Sequence, residues 1–166
     1  SAISGAAPDW IALNANGIPV RLITPPELLA SPANTFAANV DTLEDKRAVM
    51  EGFLRAWSKG MHVASVNPEA VAQMLRKGVP EEWENEEAGQ LFLDMSIGMN
   101  VSVTEQAGDL QTDVWTALQP RLLSSGAIEA EVDSASFLND TYIAAANDFD
   151  RAEVEADATA WMEANP

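Results

Sequence analysis

From Thr42 onward the apolar residues of this chain recur with the period of an α-helix, which commits the larger part of the fold to helices. Thr42 with Asp45 forms a variant of the capping box, and Leu43, Val49, Met50, Phe53, Leu54 and Trp57 repeat on one face up to Lys59 and Gly60. That spacing predicts a helix over 42–60 with these six residues turned inward. "NPEA" then restarts the pattern, with Asn67 as cap, Pro68 as first helical residue, Val71, Met74 and Leu75 inward, and Gly78 as the stop. Pro80 opens another helix, carrying Trp83, Leu91, Phe92 and Met95. A further one starts near Thr104, carries Leu110, Val114, Trp115, Leu118 and Leu122, and ends at Gly126. Two shorter helices are expected over about 134–147 and 151–163. No fixed-length repeat links them, which argues against a solenoid.

The first forty residues read differently. Pro8 and Asp9 open a short helix with Trp10, Ile11 and Leu13 as its apolar face, and Asn16 and Gly17 stop it. "IPVRLI" reads as a short strand with Val20 and Leu22 on one side, residues 24–33 as a turn-rich crossing, and "NTFAANV" as a second extended segment. Short strands near the start followed by about six helices predict a strongly helical α/β fold, not a pure bundle.

Charge narrows the function classes. The formal net charge is -17, and it is uneven: residues 1–80 hold seven acidic and seven basic side chains, whereas 81–166 hold nineteen acidic and two basic ones, Arg121 and Arg151. Nucleic acid requires a positive footprint that this chain does not supply, and anionic membranes are disfavoured for the same reason. No apolar run approaches the roughly 18 residues of a membrane helix. The absence of cysteine removes disulfide and thiolate chemistry.

The inventory for chemistry is thin, so no catalytic residue, metal ligand or cofactor is assigned. His62 is the sole histidine and reads as a packing or surface residue. "NDFDRAEVEAD" has the acids of a calcium loop without its glycine, and "ISGAAP" lacks the glycines and lysine of a phosphate loop. Trp57 and Trp115 read as core, and Trp83 as a lid or surface anchor. Phe36 differs, because Asn34, Thr35 and Asn39 surround it on an extended segment beside the crossing. A ring with several amide and hydroxyl groups suits a polar organic ligand, while a strand with its cap explains the same residues structurally. Trp10 is a weaker candidate for that site. Arg21, on the expected strand, has the chemistry to hold a carboxylate or sulfonate, although its position also suits a solvent-facing residue.

Taken in order, "APDWIALNANGIPVRLI", "NTFAANV", "FLRAWSKG" followed by "NPEAV", "W..L...L...G.I" and "N..Y...A" resemble the carboxy-terminal half of certain ABC-importer substrate-binding proteins. These are the proteins of the group that serves nitrate, alkanesulfonates, taurine and thiamine pyrimidine precursors. The resemblance implies a two-lobed periplasmic-binding-protein-like fold, with residues 1–30 a remnant of the second lobe and the crossing. Residues 31–166 would then be a return strand and helices packing on the first lobe. It implies capture of a small organic molecule or oxyanion without turnover, in the periplasm or on the extracellular face. The partners implied are a small-molecule ligand, a transporter permease, and the missing amino-terminal half or a partner chain. Asn34, Thr35, Phe36, Asn39, Trp10 and Arg21 would face the ligand.

Two other readings stand beside it. An enzyme related to thiamine pyrimidine synthesis is disfavoured by the solitary His62 and the lack of cysteine. An acidic helical protein-interaction module, docking a basic partner on residues 81–87 or 148–163, accounts for the charge asymmetry.

Overall fold

The computed structural model describes residues 2–5, 7–25, 32, 34–102 and 104–166, with the backbone alone for residues 7, 8 and 15. Among them every regular element is a helix: α1 (Ala7–Ala15), α2 (Val40–Asp45), α3 (Arg47–Val66), α4 (Pro68–Gly78), α5 (Glu86–Asn100), α6 (Thr112–Ser124), α7 (Ile143–Ala146) and α8 (Arg151–Ala164), with 3₁₀ turns at Pro80–Trp83 and Ser134–Ser136.

This corrects the expected α/β fold. No strand occurs among the described residues, so the two-lobed, sheet-based fold implied by the binding-protein resemblance is absent, and the importer role inferred from it falls too. An extended segment becomes a strand only when its N–H and C=O groups meet a neighbouring ladder. The segment over 18–23 spends its first two donors, those of Ile18 and Val20, on closing α1 instead. Gly17 takes a left-handed φ of 74°, the Ile18 N–H donates to the Leu13 carbonyl (2.9 Å), and the Val20 N–H donates to Asn14 Oδ1 (3.3 Å). Val20 and Leu22, expected on one buried side, are 39% and 56% exposed, so the alternation has no interior to face. Residues 34–39 run exposed into the cap of α2. The expected crossing over 24–33 falls mostly outside the described residues.

The chain divides into two compact units. The first comprises Ser1–Leu22, Lys59–Val101 and Phe149–Pro166. Its core has two clusters: Val63, Ala70 and Ala158 with Val154 and Met162 around them, and Ala72, Trp83 and Leu93 with Leu75 and Ile97. Val71 touches both. Alanines at 0% exposure where α4 meets its neighbours allow close helix approach. Trp83, expected as a lid or anchor, is buried at 7% exposure, with the Arg76 guanidinium 4.5 Å from its ring centroid.

The second unit comprises Ile23–Ser58 and Ser102–Asp148. Polar side chains that imitate backbone hold it together. Gln119, 6% exposed, accepts from the Val132 N–H (2.7 Å) and donates to the Val132 carbonyl (2.8 Å), as a neighbouring peptide would. Asn147 does the same with both backbone groups of Ala107 (2.9 and 3.0 Å). The Tyr142 hydroxyl donates to the Leu43 carbonyl (3.1 Å), with Arg47 over its ring.

Several helix limits move for local reasons. The helix expected over 42–60 breaks at Lys46, whose C-cap geometry ends α2, and resumes through Gly60 to Val66, where Asn67 accepts from the Ala70 N–H. The one expected from Thr104 begins at Thr112. Ser102 and Thr104 hydroxyls hold the preceding turn by hydrogen bonds to the Gln106 carbonyl, and Gly108 at φ 82° and Gln111 at φ 44° divert the backbone. The 134–147 segment contains only the Ser134–Ser136 turn and α7.

Candidate docking surfaces

The helix expected to turn its large apolar residues inward presents many of them to solvent. Over residues 48–57, the exposed positions of α3 are Ala48, Val49, Gly52, Phe53, Ala56 and Trp57, without a charge among them. Val49, Phe53 and Trp57 are 65%, 48% and 44% exposed, which corrects the reading of Trp57 as core. Phe36 lies edge-on against both aromatic rings, at centroid distances of 5.3 Å to Phe53 and 5.2 Å to Trp57. A contiguous exposed apolar patch is the usual mark of a docking surface. Helical spacing revealed this face in the sequence but not its direction, because an interface and a core present the same period.

A second surface lies within the first unit. An open groove of about 290 Å³ runs between the end of α3, α4 and α8, with Val63, Met74, Val154, Ala158 and Trp161 in its lining and Lys59 and Asp157 also along it. Gly60 is in its lining, and a Cβ built there meets nothing within 4 Å. Around the groove's α8 wall, Glu153, Glu155, Asp157 and Glu163 of that helix are exposed, with Arg151 its one basic residue. Glu155 is engaged by His62, whose Nε2 lies 2.8 Å from its Oε1. The ring of His62 faces Phe149, 6.1 Å away, so this histidine joins two helices of the unit, as expected of a packing residue. The groove residues were missed in the sequence. Val154, Ala158 and Trp161 at i, i+4 and i+7 are its signal there, but the partner helices that complete it are remote in the chain.

A more polar cleft of about 570 Å³ is lined by Glu69, Gln73, Arg76, Lys77 and Asn165 among others. Its cations are already engaged. Arg76 binds Glu69 and Glu86 (both 3.1 Å), and Lys77 donates to Asn165 Oδ1 (2.5 Å). Burial pulls the Arg76 guanidinium down, but its hydrogen bonds to Glu86 and Glu69 outweigh this and hold its pKa above the ordinary arginine value. Gln73 Oε1 is buried without a hydrogen-bond partner among the described residues, while its amide donates to the Asn165 carbonyl.

Of the residues expected at a ligand site, Asn34, Thr35, Phe36 and Asn39 belong to the second unit and Trp10 and Arg21 to the first. Asn34 and Thr35 are exposed, and Phe36, 54% exposed, joins the α3 aromatic cluster. Asn39 caps α2 by accepting from the Asp41 N–H (2.8 Å). Trp10 is half-buried on α1, and Arg21 is exposed beyond it. Among the described residues no group of three or more histidine, cysteine or acidic side chains converges as a metal site, and no helix is long and apolar enough to cross a membrane. No protein family, curated protein or solved structure matches the chain.

Proposed function

We propose that this chain is an acidic helical protein-interaction module that holds a basic, amphipathic segment of a partner by binding alone, without chemical turnover. The observation that carries this reading is the pairing, within one unit, of an apolar groove with a strongly acidic helix along its side. A groove lined by Val63, Met74, Val154 and Trp161 accepts an apolar anchor, and burying one such side chain contributes about 1.5–3 kcal/mol. Asp157 in the groove's lining, with Glu153 one turn before it on α8, is placed to meet basic residues on the flank of the same segment, each exposed pair adding about 0.2–1 kcal/mol and chiefly raising the association rate. The sum suits a transient, salt-sensitive complex.

A fluorescent helical peptide of alternating leucine faces and lysine flanks is the direct probe, with a glutamate-flanked analogue as its counterpart. The lysine peptide is expected to bind at low salt and to weaken as salt rises. Gly60→Leu, which fills the groove from an open helix position, is expected to weaken it about tenfold, in line with loss of one buried anchor. Equal binding of the glutamate analogue, or no binding of the lysine peptide at low salt, overturns the reading.

A further inference from the structure

We infer that the outward face of α3 over residues 48–57 is a contact between two copies of this chain. The face is self-complementary in shape. Ala48, Gly52 and Ala56, spaced four apart, form a column of small residues, and Val49, Phe53 and Trp57 form a column of large ones directly beside it. When two such helices meet side by side about a two-fold axis parallel to them, the large column of each copy lies against the small column of the other. The opening at Gly52 is real space, since a Cβ built there meets nothing within 4 Å. Phe36, edge-on to Phe53 and Trp57, holds the large column as a ridge before any partner arrives, which lowers the cost of ordering it on contact.

Charge selects the second copy over other occupants. A chain of net charge -17 repels its own kind over most of its surface. On this stretch of α3 the face is uncharged and the charged residues are Glu51 and Arg55, one acid and one base, with Glu51 paired to the preceding Arg47 at 3.4 Å. Two copies therefore meet here with little like-charge repulsion, whereas a basic partner finds no carboxylate on the face to recognise it. The contact belongs to the unit that lacks the α8 groove, so it stands whether or not the basic-partner reading holds.

Sedimentation equilibrium over a broad concentration range, at low and high salt, tests it with the wild-type chain, Gly52→Arg and Phe53→Glu. Gly52→Arg places a long charged side chain in the small column from a position where a Cβ meets nothing within 4 Å, and arginine is a better helix former than glycine, so the variant keeps its helix. The wild type is expected to dimerise, more tightly at high salt because screening relieves the net repulsion. Both variants are expected to weaken the dimer roughly a hundredfold, the scale of a central interface residue. This salt response is opposite in sign to that of the basic peptide, so the two complexes are told apart in one series. A wild type that stays monomeric at every salt overturns the inference, whether the face is then bare or taken by a different protein. A Gly52→Arg chain that dimerises as tightly as the wild type overturns it equally.

Discussion

Gly89 and Gly60 both lie inside helices, yet replacing each by alanine is expected to change stability in opposite directions. A Cβ at Gly89 would stand 2.9 Å from Cδ2 and Cε3 of Trp83 and 3.2 Å from the Glu82 carbonyl oxygen. Trp83 has little freedom to withdraw, since it packs with Ala72 and Leu93 on one side and under the Arg76 guanidinium on the other. Overpacking of this kind costs about 1–3 kcal/mol, and the better helix propensity of alanine returns about 1 kcal/mol, leaving Gly89→Ala destabilising by up to about 2 kcal/mol. In a chain of this length that lowers Tm by up to about 8 °C. At Gly60 the added methyl meets nothing within 4 Å, so Gly60→Ala is expected to stabilise by about 0.5–1 kcal/mol. Thermal melts followed by far-ultraviolet circular dichroism and tryptophan emission measure both. The double variant Gly89→Ala with Trp83→Leu completes the argument, because the smaller side chain removes the clash and the two costs become non-additive. A Gly89→Ala protein as stable as the Gly60→Ala protein would refute the packing of α5 against Trp83.

Gln119→Leu removes both hydrogen bonds to Val132 and is expected to cost about 2–3 kcal/mol in urea unfolding, because the Val132 backbone groups lose their partner. A loss under 0.5 kcal/mol would show that water replaces the amide, about the change expected of an ordinary surface site. Asn67→Ala removes the side-chain acceptor for the Ala70 N–H and is expected to cost about 1 kcal/mol, with Asn67→Asp restoring most of it. Tyr142→Phe deletes the hydroxyl donor to the Leu43 carbonyl while leaving the ring beneath Arg47, an expected loss of about 0.5–1.5 kcal/mol by the same urea assay.

The helices were legible where the chain names its own caps. Asn67 with Pro68 opens α4 as expected, and Asn16 with Gly17 ends α1, because each signal acts on backbone groups within four residues. The site was legible only in part. Phe36 stood out beside its amides, and the structure sets it in an aromatic cluster with Phe53 and Trp57; those two rings were assigned to the core because their spacing is that of any amphipathic helix. The groove beside α8 showed in the sequence only as the spacing of Val154, Ala158 and Trp161, since its other walls come from residues near 60 and 74.

What the sequence by itself determined is local: which segments are helical, where several of them start and stop, and that the second half is acidic. A helix closes its hydrogen bonds within its own segment, so its code is contiguous. A strand, a buried face or a groove is completed by residues remote in the chain. Only the tertiary structure decided that Val20 and Leu22 find no ladder, that Trp83 is enclosed between α4 and α5, and that Val49, Phe53 and Trp57 look outward, because each outcome depends on which surface arrives opposite.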